Sequence, residues 1–164
     1  MKKVLEILQL PEPGNNIPYF SNGEFSMHQL IEHLLEQTGP AKVVLSSFSI
    51  TEVAIRTFQR LMEQGTIQSL ACLFDFTVRR HKLGLLFFAR NVISQISIAK
   101  CHAKVVLIYN GKHYVTVVSS ANLNINDKME AGIISTDTAI FDYFYTKLIE
   151  GISGGIEVTS DEFN

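Results

Sequence analysis

Two side chains in the C-terminal half of the sequence have the chemistry needed to attack and stabilise a phosphoryl group. His102 and Lys104 are separated by one residue, so their side chains share a face if this segment is a strand. A neutral imidazole is a good nucleophile near pH 7 and its protonated form is a good acid, whereas an ammonium neutralises negative oxygens. Hydroxyl and amide groups follow at Ser119, Ser120 and Asn122. Together these residue types predict a phosphate site.

A predicted β-hairpin brings these two groups of residues together. Segments 101–109 and 113–119 are mostly apolar, and Asn110-Gly111 between them is a strong signal for a type I′ turn. A two-residue loop there pairs His102 with Ser119. A slip of two residues in this pairing keeps the polar groups at the same end of the hairpin.

Helical and strand periodicity alternate along most of the remaining sequence, which predicts an α/β fold with helices packed on a sheet. Helix 49–64 is predicted to begin at a capping box, Ser49-Ile50-Thr51-Glu52, and to end at Gly65. Residues 1–24 are predicted to be irregular, and residues 157–164 to form a flexible tail. The other predicted helices are 27–35, 79–92 and 139–150, and the other predicted strands are 42–47, 67–76, 95–99 and 129–135.

The composition favours a single domain over residues 1–164 in a reducing compartment. A chain of 164 residues with 46% hydrophobic residues can bury a core without disulfides, and Cys72 and Cys101 have no metal-binding spacing. No apolar stretch approaches the ~20 residues of a membrane span and no secretory signal is visible, so we expect a cytoplasmic protein. A net charge of -2 gives no global attraction to nucleic acid, so a polyanion would have to bind a local patch.

The residues of the predicted phosphate site resemble the signature of the phospholipase D superfamily, His-x-Lys-x-x-x-x-Asp followed by Gly-Ser-x-Asn. Tyr109 occupies the place of the Asp and Ser119 that of the Gly. One signature in the C-terminal half is similar to the small bacterial endonuclease members, and it implies a mixed β-sheet flanked by α-helices on both faces. The matching residues are His102-Ala103-Lys104 and Ser119-Ser120-Ala121-Asn122-Leu123-Asn124, with Glu130 in the strand that follows.

The resemblance also implies roles for these residues. His102 would attack phosphorus to give a phosphohistidine, and the histidine of a second signature would protonate the leaving oxygen. Lys104 would neutralise the phosphoryl oxygens, Asn122 would donate hydrogen bonds to them, and Ser120 would orient or bind phosphate. Glu130 would hold the imidazole in one tautomer. Water would complete hydrolysis without a metal or cofactor, and a homodimer would supply the second histidine.

Each residue of this site also has a purely structural interpretation. His102 could be a partly buried strand histidine. Ser119, Ser120 and Asn122 could form a strand-ending turn. Cys101 could make a thiol–imidazole pair with His102, although neighbours on a strand point to opposite faces.

Three further groups of residues could form sites elsewhere. His28 and His33 lack the spacing of a zinc-binding helix pair, and Glu32 between them does not restore it. The basic cluster Arg79-Arg80-His81-Lys82 could line a groove for a phosphodiester backbone, or be solvated charge at the start of a helix. Four phenylalanines could stack on bases or belong to the core; they are Phe74, Phe76, Phe87 and Phe88.

Two function classes are consistent with these residues. The first is a phosphodiesterase, and more narrowly a nuclease, because small single-signature relatives in the family are typically nucleases. The second is a weakly active or inactive nucleic-acid-binding or scaffold module, because Tyr109 replaces the family Asp. A lipid phosphodiesterase is a third class, without a Lys-rich amphipathic helix to support it. The sequence does not choose between DNA, RNA, lipid and other phosphodiesters.

Overall fold

The computed structural model describes residues 2–125 and 127–159. The helices of this part are α1 (Lys2–Glu6), α2 (Met27–Thr38), α3 (Glu52–Glu63), α4 (Phe76–His81), α5 (Leu83–Val92) and α6 (Thr138–Gly154). The strands are β1 (Asn16–Asn22), β2 (Ala41–Ser47), β3 (Ile67–Asp75), β4 (Gln95–Ala99), β5 (Val105–Tyr109), β6 (Tyr114–Ser119), β7 (Met129–Ser135) and β8 (Ile156–Glu157).

All eight of these strands belong to one mixed sheet, in the order β1-β7-β6-β5-β2-β3-β4-β8. Strands β2, β3 and β4 are parallel to one another, and the other neighbours pair antiparallel. Helices α3, α4 and α5 lie in the connections between the parallel strands, as parallel pairing requires.

Helices cover the sheet on both faces. Val43 and Leu45 of β2 belong to the larger core, which includes buried residues of α2, α3 and α5. Val44, between them in sequence, belongs to a second core with Phe141 and Leu148 of α6. Successive residues of a strand point to opposite faces, so α6 lies on the face opposite the other three helices. The predicted α/β class with a mixed sheet flanked on both faces is confirmed.

The prediction that residues 1–24 are irregular is wrong for two parts of that segment, α1 and β1. β1 pairs along its whole length with β7, and α1 precedes it. Pro18 lacks the N–H of a central strand but is compatible with the edge position that β1 occupies. At the other end of the chain, β8 pairs with β4, and residues 160–164 of the predicted flexible tail lie outside the described residues.

Three predicted helix boundaries also differ from the structure. α3 is capped by Thr51, whose Oγ1 accepts a hydrogen bond from Ala54 N at 3.4 Å, because Ser49 instead donates to Asn124. The predicted helix 79–92 is two helices, since the backbone leaves helical geometry at Lys82. α6 continues to Gly154 rather than ending at residue 150.

The hairpin between β5 and β6 has a four-residue connection instead of the predicted two-residue turn. Tyr109 pairs with Tyr114 and Val105 with Val118, a shift of two residues from the predicted register. The Asn110 side chain accepts hydrogen bonds from the backbone N–H groups of Lys112 and His113 and closes the loop without a positive φ of its own. The shift leaves the signature residues at one end of the hairpin, as expected.

Candidate active site

The signature residues meet at one edge of the sheet, where β2, β3 and β6 end and β5 begins. Ser46 near the end of β2 pairs with Val105 at the start of β5, and Ser47 pairs with Phe74 near the end of β3. Ser119 is the last residue of β6. Four neighbouring chain segments therefore supply side chains to one site, and we call this end of the sheet the mouth of the site.

His102 and Lys104 lie in an anchored segment just before β5, so the prediction that the strand begins at residue 101 is wrong. Ser46 fixes this segment because its Oγ donates to Ala103 O at 2.9 Å and accepts from Val105 N at 3.2 Å. Ser119 N donates to Lys104 O at 3.1 Å. A side-chain hydroxyl thus takes over hydrogen bonds that a strand ladder would supply.

The His102 imidazole is exposed and lies directly against the Lys104 ammonium. Lys104 Nζ is 2.9 Å from His102 Nδ1 and donates to His102 O at 2.9 Å. The Phe48 ring lies 4.8 Å from the imidazole centroid, tilted by 49°, and limits its movement on one side. The exposure of His102 argues against the alternative that it is a partly buried structural histidine.

The contact between Lys104 and His102 determines which ring nitrogen of the neutral imidazole carries the proton. An ammonium has only donors, so Nδ1 accepts from Lys104 and the proton of the neutral ring is assigned to Nε2 in this conformation. If His102 is the predicted nucleophile, attack through Nε2 would need the other tautomer, with the proton on Nδ1. A phosphoryl oxygen that draws the Lys104 ammonium away from the ring would allow this change.

Asn122 is held with its amide group available to the site. Its Oδ1 accepts a hydrogen bond from Phe48 N at 3.0 Å, and Leu123 N donates to Ser47 Oγ at 3.2 Å. Because the oxygen is used by the backbone, the amide NH₂ is the part that can donate to a negative oxygen.

Ser120, two residues before Asn122, is paired with Glu130 of β7. Ser120 Oγ makes a short hydrogen bond to Glu130 Oε2 and accepts from Ala131 N at 3.0 Å. Glu130 is therefore bonded to Ser120, and its role in holding the His102 tautomer stays a prediction.

Ser119, which replaces the family Gly, is accommodated by Tyr19 of β1. Tyr19 Oη donates to Ser119 Oγ at 2.8 Å, and Ala121 N donates to the same oxygen at 3.0 Å. Burial raises the pKa of Tyr19, which keeps its hydroxyl a donor. The Tyr19 ring covers Gly132, where a Cβ would lie 2.6 Å from the ring, so Gly132 makes room for this contact.

Asp75 ties the start of α4 to the signature. Its carboxylate accepts from Thr77 N and from Cys101 N, both at 2.9 Å, and Thr77 Oγ1 donates to Phe48 O at 3.3 Å. Burial acts to raise the pKa of Asp75, but the backbone donors outweigh it and leave the pKa below its usual value. The carboxylate therefore stays ionised and fixes the residue before His102.

Cys101 does not have the environment of a nucleophilic thiol. It is buried, and burial raises its pKa, whereas a reactive cysteine needs a lowered pKa. Cys72 is also a buried free thiol.

Tyr109, in the place of the family Asp, is far from the imidazole. It lies at the far end of β5 from the segment that holds His102, about 13 Å from Val105 over four residues at 3.3 Å per residue. Its ring contacts Phe141 and Tyr145 of α6 at 5.4 and 5.7 Å. Burial, followed by the neighbouring Tyr145, raises the pKa of Tyr109 to about 12. The replacement therefore affects the packing of α6 and not the mouth of the site.

The remaining histidine candidates lie in other parts of the fold. His33 Nε2 is hydrogen-bonded to Leu8 O at 2.8 Å, and burial lowers the pKa of His28. Within residues 2–125 and 127–159, no group of three or more His, Cys, Asp or Glu side chains is placed to hold a metal ion.

The basic cluster lies next to the site but not at a helix start. Arg79, Arg80 and His81 occupy the last turn of α4, where cations interact favourably with the helix dipole. Lys82 Nζ donates to Ile50 O. Of the four phenylalanines, Phe74 is fully buried, Phe76 and Phe88 pack partly buried against the larger core, and Phe87 is exposed.

The sequence signature did not indicate the residues that support the site: Tyr19, Ser46, Phe48 and Asp75. Three of them stand at or just after the carboxyl ends of β2 and β3, where open α/β sheets bind ligands. That position was a usable signal, whereas Tyr19 belongs to a segment predicted to be irregular.

This chain is similar to known proteins in structure and not in sequence. The sequence matches no protein-family model and no curated protein. The solved structure of the phospholipase D family member Nuc from Salmonella typhimurium matches with a TM-score of 0.70 at 13% identity, over 89% of this chain and 99% of Nuc. This chain has the phospholipase D fold.

Two other solved structures are similar to this phospholipase D fold. NucT from Helicobacter pylori matches with a TM-score of 0.57 at 15% identity, over 84% of this chain and 98% of NucT. Polyphosphate kinase from Porphyromonas gingivalis matches with a TM-score of 0.61 at 16% identity, over 86% of this chain but 26% of the kinase. Identities this low show the fold alone, so the activity must be argued from the site.

Proposed function

We propose that this chain is a phosphodiesterase of the nuclease type that works through a phosphohistidine in a site shared by two chains. The observation that carries the proposal is the exposed His102 imidazole, 2.9 Å from the Lys104 ammonium, at the same sheet edge as the amide of Asn122. A nucleophile, a cation and a hydrogen-bond donor at one mouth are the groups that phosphoryl transfer needs.

The proposed reaction has two displacements at phosphorus. In the first, the Nε2 lone pair of His102 forms the N–P bond, the P–O bond breaks, and the leaving oxygen takes a proton from the partner's imidazolium. In the second, that imidazole removes a proton from water, the hydroxyl oxygen attacks phosphorus, and the N–P electron pair returns to His102. Lys104 and Asn122 stabilise the charge on the non-bridging oxygens in both steps, and no metal or cofactor is required.

A second chain is proposed because no other histidine of the hairpin can reach the site. His113 lies in the connection between β5 and β6, beyond the far end of β5 from His102. His81 ends α4, six residues after Asp75, or about 9 Å along the helix axis. His81 is the alternative within the chain that an experiment must test.

Nucleic acid is the proposed substrate because basic side chains stand beside the mouth. α4 is capped by Asp75, which holds the residue before His102, and carries Arg80 and His81 as exposed residues. Lys100 is exposed just before that same residue. This local charge offsets the formal -2 of the whole chain and suits a polyphosphate backbone.

The inactive-module alternative loses part of its support in the structure. It rested on Tyr109 in place of Asp, and Tyr109 packs on α6 at the opposite end of β5.

We keep the cytoplasm as the proposed location because both cysteines are buried thiols without a disulfide. No described helix is long and apolar enough to cross a membrane.

The test is a cleavage assay with single-stranded DNA, duplex DNA, RNA, phosphatidylcholine and an aryl phosphodiester. We expect His102→Ala to lower kcat/KM by about 1,000-fold or more, since removing a nucleophile leaves only binding and charge stabilisation. His113→Ala is the matched control and should keep the wild-type rate, and EDTA should not change turnover. An active His102→Ala protein, or activity that needs added magnesium, would contradict the proposal; an inactive His81→Ala protein would assign the acid to the same chain.

A further inference from the structure

A pocket lies between the first turns of α3 and α5, near the mouth of the site. Its volume is about 410 Å³, within the range of about 300–1,000 Å³ that is typical of small-molecule sites. The starts of the two helices are tied together, because Lys82, the residue before α5, donates through Nζ to Ile50 O. We call this the α3–α5 pocket; its lining residues are Glu52, Arg56, Gly84, Leu85 and Phe88.

Hydrogen bonding connects the start of α3 to the proposed phosphate site. Thr51, the cap of α3, donates through Oγ1 to Leu123 O at 3.0 Å, and Leu123 directly follows Asn122. Arg56 is five residues after Thr51, or about 8 Å along the helix axis. The α3–α5 pocket therefore begins close to the loop that carries the Asn122 amide.

Arg56 and Phe88 form a stacking platform in this pocket. The guanidinium carbon of Arg56 lies 5.2 Å from the centroid of the Phe88 ring. Its Nε and Nη2 donate to Glu52 Oε1 at 3.0 and 2.8 Å, which orients the guanidinium although the side chain is 62% exposed. Unpaired nucleobases stack on guanidinium planes and on aromatic rings of this kind.

The Glu52 carboxylate determines which part of a nucleotide fits. A phosphate beside Glu52 would be repelled, whereas the amino group of a base can donate a hydrogen bond to it. Arg56 bonds to Oε1, so Oε2 can accept this donor. The combination of a cationic plane and a carboxylate suits a base that carries an amino group.

Gly84 leaves space for such a base. A Cβ at this position would meet no atom within 4 Å, and Gly84 has no positive φ. Packing and backbone conformation therefore do not require glycine here, although glycine is a poorer helix residue than alanine. A long side chain at position 84 would occupy the pocket that Gly84 lines.

We propose that the α3–α5 pocket binds an unpaired nucleobase that carries an amino group, beside the phosphate held at the mouth. The inference rests on the proposed function, which assigns a nucleic-acid substrate to this chain. With one phosphate at the mouth, a neighbouring nucleotide of the same strand extends over the start of α3. In a duplex the base is stacked within the helix and its amino group is paired, so the pocket selects for single strands.

The experiment measures binding by fluorescence anisotropy in the His102→Ala chain, so that the ligand is not consumed. The ligands have one sequence, as single-stranded DNA, as RNA and as duplex DNA. We expect Arg56→Lys to weaken binding of a single strand by about 10-fold and to leave duplex binding unchanged, because lysine keeps the charge but not the stacking plane. Arg60→Lys is the matched control, since Arg60 is one turn further along α3 and pairs with Glu32.

A second variant fills the pocket without changing a charge. Gly84→Leu should weaken single-strand binding by about 10-fold, and leucine is the better helix residue, so the fold should be kept. Asn91→Leu is its control, because it adds the same side chain to an exposed position of α5, about 10 Å further along the helix. Circular dichroism and melting temperatures would verify that all four variants are folded.

Oligonucleotides with single abasic positions identify the bound base. One abasic position should weaken binding by as much as Arg56→Lys does, and the two losses should not add. At that position cytosine should bind more tightly than thymine, which lacks the amino group. The proposal would be overturned by a parent chain that binds no single strand, by normal binding in folded Arg56→Lys and Gly84→Leu chains, or by additive losses.

The outcomes distinguish this inference from the proposed function. If single strands bind through Arg56 and Gly84 but the wild-type protein cleaves no phosphodiester, the base pocket stands and the proposed function fails. If the wild type cleaves nucleic acid through His102 but the pocket variants leave affinity unchanged, the proposed function stands and the base pocket is wrong.

Discussion

At the scale of single residues, the proposed reacting groups are positioned by side chains outside the signature. Phe48 lies against the His102 ring and donates its backbone N–H to Asn122 Oδ1, and Ser46 holds the residue between His102 and Lys104. His102, Lys104 and Asn122 could be named because their side chains are costly to place beside apolar strands and match a known signature. Ser46 and Phe48 have no comparable spacing, and their role depends on the pairing of β2 with β5, which sequence does not specify. The proposed role of the Asn122 NH₂ group can be tested with a substitution that keeps the side-chain oxygen and removes the NH₂.

We predict that Asn122→Asp lowers kcat/KM by about 100-fold while the protein stays folded. The new carboxylate can still accept from Phe48 N, as Oδ1 does now at 3.0 Å, but it replaces a donor to the phosphoryl oxygens with a negative charge. Asn124→Asp is the control, because Asn124 Oδ1 accepts from Ser49 Oγ at 2.9 Å and the same charge is added nearby. Steady-state kinetics on an aryl phosphodiester would measure both, and equal losses in the two variants would contradict a specific donor role.

At the scale of elements, periodicity predicted most helices and strands. The predicted boundaries failed mainly where side-chain hydrogen bonds replace backbone hydrogen bonds. Asn110 closes the hairpin with its side chain, so the Asn-Gly signal predicted a turn of the wrong length. β1 was missed because Asn and Pro residues interrupt its alternation and Gly14 and Gly23 flank it, although β7 gives it a complete set of partners. α4 was merged with α5 because no sequence signal shows that Asp75 is its cap.

We predict that Asp75→Ala lowers the free energy of unfolding by about 2–3 kcal/mol near neutral pH, since it removes a charged acceptor from two backbone donors, a buried one at Cys101 and a partly buried one at Thr77. Asp137→Ala is the matched control: it removes the cap of α6, which accepts from Ala139 N at 2.8 Å, and should cost about 1 kcal/mol. Only Asp75→Ala should also lower kcat, because only Asp75 holds the residue before His102.

The pH dependence gives Asp75→Ala a second readout. The pKa of Asp75 is lowered in the folded protein, so its stabilisation is present above the unfolded pKa and is lost as the pH falls through the folded value. The stability difference between wild type and Asp75→Ala, from urea denaturation, should therefore shrink in acid. A difference that grows in acid would contradict an ionised cap.

At the scale of the whole molecule, the fold was predictable and the surface was not. The signature implied the phospholipase D fold, and the mixed sheet and the match to Nuc confirm it. The exposed apolar surface of β1, β7 and β6 could not be predicted. It depends on β1, which the sequence did not reveal, and on how far α6 reaches across the sheet. The proposed sharing of one site by two chains is also a property of the whole molecule.

Mixing His102→Ala chains with wild-type chains under subunit exchange tests that claim most directly. Each mixed dimer would contain one histidine for two roles, so an equal mixture should fall to about half the activity of the same proteins kept apart, with excess His102→Ala driving it toward zero. Sedimentation of the active species would confirm that dimers carry the activity. Mixed dimers that retain half the wild-type rate, or a fully active monomer, would contradict the shared site.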